Sequence, residues 1–147
     1  MQLPKGGLLA LDWGLKKVGV ATLDETGSVV TPRAVHLRRE AGQTWSLNVH
    51  DKAFLARLLT DYEPGALVLG LPLNADGSES KASGHARRFR DKLAAATGLE
   101  VHLVSEVLSS WVNKEAANDP RRGLRSDDSL AAATLLEDYL SSGGKRA

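Results

Sequence analysis

Three acidic residues far apart in the chain, Asp12, Glu106 and Asp128, stand where a carboxylate could work on a bound cation. Asp12 directly follows the aliphatic run Leu8-Leu9-Ala10-Leu11, where an ionised carboxylate is costly to desolvate unless something positive neutralises it. Glu106 closes a second such run, Val101-His102-Leu103-Val104, and Asp128 opens an apolar helical stretch. Brought to one end of a sheet, three carboxylates repel one another unless a divalent cation joins them. Oxygen-only ligands, with no cysteine and no evident histidine pair, favour Mg²⁺ or Mn²⁺ over Zn²⁺. Two such ions about 4 Å apart activate water and stabilise the leaving oxygen in phosphodiester hydrolysis, so no protein nucleophile is needed. Each acid also has a plainer reading. Asp12 can cap its turn by bonding to the backbone at Gly14, Glu106 can be a solvated strand end, and carboxylates at helix starts are favoured by the dipole.

The elements that must position these acids follow from the hydrophobic pattern. Leu8–Leu11, Val18–Leu23 and Val29–Thr31 are β-runs separated by turn-forming breaks, which reads as an antiparallel meander. Pro32 belongs near the end of the third strand, because it removes a ladder donor. Phe54, Leu55, Leu58, Leu59 and Tyr62 recur at helical spacing, predicting a helix over about 48–62 that stops before Pro64. Ala66–Leu71 is continuously apolar, as parallel strands buried on both faces are. The segment Pro72–Ser80 reads as a loop, followed by a helix that ends at Gly98, where a C-terminal glycine belongs. Val101–Val104 is the fifth strand, a short helix from near Ser109/Ser110 stops before Pro120, and the last helix runs from Asp127/Asp128 to about Leu140. The order β-β-β-α-β-α-β-α, with one small extra helix, predicts an α/β fold. Its mixed five-stranded sheet, three antiparallel strands then parallel βαβ units, is flanked by helices and matches the ribonuclease H-like fold. That fold serves nucleases and sugar kinase or chaperone-type ATPases alike, so it does not choose between them.

A length of 147 residues, 42% hydrophobic and 25% charged, fits one domain over 1–147 with an ordered core at about 8–141. No apolar run approaches the roughly 18–20 residues of a membrane span. Met1–Gly7 lacks the pattern of a signal peptide, and the absence of cysteine agrees with a cytoplasmic protein. A net charge of +1 does not announce a nucleic-acid partner. The basic residues instead cluster, at Arg33/Arg38/Arg39, at Lys81/Arg87/Arg88/Arg90/Lys92 and at Arg121/Arg122/Arg125, and the bland expectation for each cluster is a solvated face.

Three motifs narrow this. Asp12-Trp13-Gly14-Leu15-Lys16-Lys17-Val18-Gly19-Val20-Ala21 resembles the opening Asp-x-Gly-x-x-x-(Ile/Val)-Gly-Val-Ala of the YqgF/RuvX family. Gly70-Leu71-Pro72-Leu73-Asn74-Ala75-Asp76-Gly77-Ser78-Glu79 is similar to that family's most distinctive loop, and Asp128-Ser129-Leu130-Ala131-Ala132 to the start of its C-terminal helix. The resemblance covers about Leu8–Leu140. It implies a ribonuclease H-like, metal-dependent nuclease acting in 5′-end maturation of small-subunit ribosomal RNA, in a family also known, by fold analogy, as Holliday-junction resolvases. It also implies that the catalytic and metal-ligating acids are Asp12, Glu106 and Asp128. The chain departs from the family where Ser105 and Val107 replace an aspartate and an arginine flanking Glu106, and Asp127 is a stand-in ligand beside Asp128. Lys16, Lys17, Arg87, Arg88, Arg121, Arg122 and Arg125 are expected to hold a polyanion by charge, with Asn74 and Ser78 bonding phosphate or sugar. Trp13 and Trp111 are candidates for base stacking, although packing is the commoner role. RNA is the expected partner, with structured or branched DNA as the alternative substrate, and the protein is a monomer or a homodimer. Readings of other classes are an ATPase, for which the chain lacks a second lobe, and a non-catalytic RNA-binding assembly factor.

Overall fold

The computed structural model describes residues 2–107 and 127–144. Its elements run β1 (Leu8–Trp13), β2 (Lys17–Leu23), β3 (Val30–Pro32), β4 (His36–Leu37), α1 (Val49–Tyr62), β5 (Ala66–Leu73), α2 (Lys81–Thr97), β6 (Val101–Val107) and α3 (Asp127–Ser141). The sheet order is β3-β2-β1-β5-β6, with β4 also pairing β2. β1, β2 and β3 are antiparallel, whereas β5 lies parallel to both β1 and β6. The mixed α/β architecture is therefore as expected, but the sheet has six strands rather than five. The extra strand has two residues, too few for a periodic pattern, and it resumes the pairing with β2 after Pro32 and Arg33.

Strand alternation sends successive residues to opposite faces, so each strand feeds two cores. Leu9, Leu11 and Trp13 face α1 and α2 with Val18, Val20, Leu69 and Phe89. Leu8 and Ala10 face α3 with Ala21, Val68, Val104, Leu136 and Tyr139. β5, covered on both sides, is buried along its whole length. It also runs two residues further than its aliphatic stretch suggests, to Leu73, with Pro72 inside it. Pro72 pairs in register with Glu106, and its carbonyl accepts a 2.5 Å hydrogen bond from Ser83 Oγ. Helix α1 starts at a reciprocal capping box between Asn48 and Asp51, and α2 starts at one between Ser80 and Ser83. Gly98 ends α2 at φ 73°, a left-handed conformation that glycine adopts without strain.

Candidate metal-binding active site

Alternation along β1 places Asp12 on the α3 face, with Leu8 and Ala10. The parallel register Leu11↔Leu69 sets Asp12 level with Gly70 on the neighbouring strand. One strand further on, Glu106 follows Val104 on the same face of β6, opposite Pro72 in register. The residue between the two acids is the one without a side chain. A Cβ at Gly70 would lie 2.5 Å from Glu106 Oε2 and 3.3 Å from Leu135 Cδ2. The Glu106 carboxylate thus leans off its own strand into the space Gly70 leaves, under α3 and towards β1.

That placement has an electrostatic cost. Burial pushes the Glu106 carboxyl above its ordinary range, and the negative charge of Asp138 pushes it the same way. Among the described residues nothing positive offsets these two effects. A carboxylate leaning into a glycine-lined gap, disfavoured as an anion and on the same face of the sheet as Asp12, suits a hard divalent cation. The donor chemistry therefore fits such a cation held by oxygen ligands.

The start of α3 is tied to the same end of the sheet. Buried Ser129 donates from Oγ to the carbonyl of Arg33, whose own amide donates to Val20 O at 2.7 Å, and Val20 pairs with Leu11. Asp127 and Asp128 immediately precede Ser129 as the first two residues of α3, and their side chains lie outside the described residues. Among the described residues, no three His, Cys, Asp or Glu side chains form a metal-sized group. The structure thus brings Asp12 and Glu106 to one face and the backbone of Asp128 to that end of the sheet.

The expected polyanion contacts divide. Lys16 and Lys17 are exposed at the β1–β2 tip beside Asp12, where Gly14 N donates to Lys17 O at 2.9 Å. A Cβ at Gly14 would fall 2.8 Å from that same oxygen, so the tight turn requires glycine. Asn74 and Ser78 bond to each other (Nδ2 to Oγ, 3.0 Å), and Ser78 Oγ donates to Asp76. Arg87 is held by Glu79 in a two-point ion pair at 2.8 and 3.2 Å, and Arg88 meets His85 Nδ1 at 2.9 Å. Arg121, Arg122, Arg125, Trp111 and the short helix expected before Pro120 lie outside the described residues. Trp13 is buried between Phe89 and Arg38, which is the packing role. Ser105, one of the two departures beside Glu106, falls on the opposite face of β6 by alternation, away from the Glu106 carboxylate.

One expectation is corrected. Arg38 is not part of a solvated basic face: its side chain is wholly buried and paired with buried Asp51. Two positions that matter here, Gly70 and Arg38, do not stand out in the sequence as site elements. A glycine inside the aliphatic run Ala66–Leu71 is the available signal for Gly70, since such glycines mark close approach. Nothing local marks Arg38, because its partners come from separate segments of the chain.

Residues 6–142 match the model of the family described as RuvX, Holliday junction resolvase. A protein of Alcanivorax borkumensis named "Putative pre-16S rRNA nuclease" is 34% identical over 138 residues, spanning 94% of this chain and 98% of that protein. One of the same name from Anaeromyxobacter is 37% identical over 138 residues, spanning 90% and 94%. Among solved structures, Thermus thermophilus RuvC superposes with a TM-score of 0.54 at 14% identity, covering 95% of this chain and 98% of that one. The same enzyme in complex with a Holliday junction substrate gives a TM-score of 0.51. At that identity the likeness establishes the ribonuclease H-type fold of the resolvases and nothing finer.

Proposed function

Because the chain belongs to the RuvX Holliday junction resolvase family, we propose that it is a nuclease hydrolysing phosphodiester bonds in precursor 16S ribosomal RNA, in the cytoplasm. The observation that carries the reading is the Glu106 carboxylate leaning over Gly70 on the Asp12 face of the sheet. Asp12, Glu106 and Asp128 would hold Mg²⁺ or Mn²⁺, two ions in the fuller form of the reading. When bound, such a cation supplies Lewis acidity and neutralises charge that builds on the phosphate.

The chain's own residues do the rest. Asp12 and Glu106 come from rigid strands of one sheet, so their separation is set by that sheet rather than by a loop. Leu135 and the α3 core close the far side of the gap and limit water around Glu106. Lys16 and Lys17 attract the polyanion to that end of the sheet. The names of the relatives favour ribosomal precursor RNA as the substrate, and the family's description keeps a four-way DNA junction as the second reading. Among the described residues no helix is long and apolar enough to cross a membrane.

The test compares wild type with Asp12→Asn on a pre-16S leader RNA, linear DNA and a four-way junction, each with Mn²⁺. RNA cleavage lost in Asp12→Asn supports the proposal. Cleavage of the junction alone transfers the reading to a resolvase, and activity that survives Asp12→Asn overturns the site.

A further inference from the structure

The tip of the β1–β2 hairpin, between Asp12 and Gly19, presents three carbonyl groups to one residue. Arg38 Nη1 donates to Gly14 O at 2.9 Å and to Leu15 O at 3.4 Å, while the Arg38 backbone amide donates to Lys16 O at 2.8 Å. The same guanidinium binds Thr44 O at 2.9 Å, Gln43 O at 3.2 Å and Ser46 O at 3.0 Å, and lies 5.2 Å above the Trp13 ring. Asp51 holds it from below, Nε to Oδ1 at 3.2 Å and Nη2 to Oδ2 at 3.0 Å, with both side chains fully buried. Asp51 Oδ2 also accepts from Asn48 N, so the clamp is anchored in the first turn of α1.

The arrangement has an electrostatic outcome. Carbonyl oxygens are the negative ends of peptide dipoles, and phosphates avoid them. With all three drawn inward, the outer surface of the tip carries the side chains of Leu15, Lys16 and Lys17, all exposed. A hydrophobic pair of the same volume in place of Arg38 and Asp51 would lose little by giving up the charge pair itself, since buried ion pairs gain little net energy. The amide of residue 38 would still hold Lys16 O, but the guanidinium that gathers the carbonyls of Gly14 and Leu15 would be gone.

Resting on the nuclease reading above, we infer that Arg38, anchored by Asp51, is a positioning residue for substrate binding. It fixes the tip in the shape that turns Lys16 and Lys17, rather than peptide carbonyls, towards the phosphates of the nucleic-acid strand. It acts through the lysines and touches no reacting atom, so its loss changes substrate affinity and leaves cation binding at Asp12 and Glu106 intact.

The test uses Arg38→Met/Asp51→Asn, which removes both buried charges together, alongside Lys16→Ala/Lys17→Ala and the quadruple variant. A labelled pre-16S leader RNA with Mn²⁺ is the substrate. Expected for Arg38→Met/Asp51→Asn are a KM raised roughly 10-fold with kcat little changed, and a salt dependence of RNA affinity shallower by about one to two phosphate contacts. Mn²⁺ affinity by calorimetry stays at the wild-type value. On the Lys16→Ala/Lys17→Ala background the same change adds less than about a 2-fold effect, because contacts already lost cannot be lost again. An unchanged KM and salt slope in the folded variant, or a full further loss without the lysines, overturns the inference. Should the double variant not fold, Arg38→Lys is read by the same criteria, since an ammonium cannot reach all of these acceptors at once. Wild-type RNA binding that depends on Arg38, without any Asp12-dependent cleavage, would overturn the nuclease reading and leave this inference standing.

Discussion

Gly70→Ala is the smallest change that reaches the proposed centre. The added Cβ would sit 2.5 Å from Glu106 Oε2, about 0.9 Å short of ordinary contact, and 3.3 Å from Leu135 Cδ2, which is tight but not prohibitive. The Leu135 contact relaxes by a few tenths of an ångström, whereas the carboxylate must swing off β5 or push α3 outward. Because the clashing atom is the far end of a flexible side chain, which can swing aside, the cost falls at the low end of overpacking, about 1 kcal/mol, and for a domain of this size that lowers the melting midpoint by roughly 2–4 °C. A carboxylate displaced by about 1 Å from its working position loses on the order of 100-fold in rate. Thermal unfolding, Mn²⁺ calorimetry and RNA cleavage would be measured together, in Gly70→Ala and in Gly70→Ala/Glu106→Ala. The stability loss should largely disappear in the double variant, because the group that clashes is gone. Wild-type Mn²⁺ affinity and cleavage in Gly70→Ala would show that Glu106 does not work from the space over Gly70, as would a stability loss that persists without Glu106.

Three further outcomes are expected from the same geometry. Glu106→Gln should raise the melting midpoint of the metal-free protein at neutral pH, because the folded carboxyl lies above its unfolded value and ionisation there costs stability; the advantage should vanish once pH falls below the unfolded value. Arg38→Ala leaves the buried Asp51 carboxylate unpaired and should cost about 3–5 kcal/mol in urea unfolding, with a smaller loss in Arg38→Met/Asp51→Asn, which removes the unpaired charge but still leaves the carbonyls of Gly14, Gln43, Thr44 and Ser46 without their donor. Burial holds the His36 imidazole below its ordinary range despite the attraction of Asp51 3.4 Å away, so the folded protein takes up that proton at lower pH than the unfolded chain. Stability should therefore begin to fall as pH drops through about 6.5, and His36→Gln should flatten that part of the profile.

The parts of this molecule legible in sequence are those governed by local pattern. The aliphatic runs of β1, β2, β5 and β6 and the 3.6-residue spacing of α1 and α2 need no tertiary knowledge, and Gly98 announces the end of its helix. Asp12 and Glu106 are visible as acids at strand ends, but that they share a face depends on alternation combined with the register across β5. Gly70 stands in a recognisable motif without disclosing its role, because a missing Cβ matters only once Glu106 is known to lean over it. The two residues of β4 are too few to carry a period. Arg38 escapes a sequence reading for a deeper reason: charge clusters are normally solvated, and its burial depends on acceptors at residues 14, 15, 43, 44, 46 and 51 converging in space.

Manganese soaked into crystals of the protein and located by its anomalous scattering tests the account most directly. The expected result is a peak above Gly70 with carboxylate oxygens of both Asp12 and Glu106 within about 2.0–2.3 Å, and its disappearance in Glu106→Gln. Peaks confined to other surfaces, with these two carboxylates bare at saturating manganese, would contradict it.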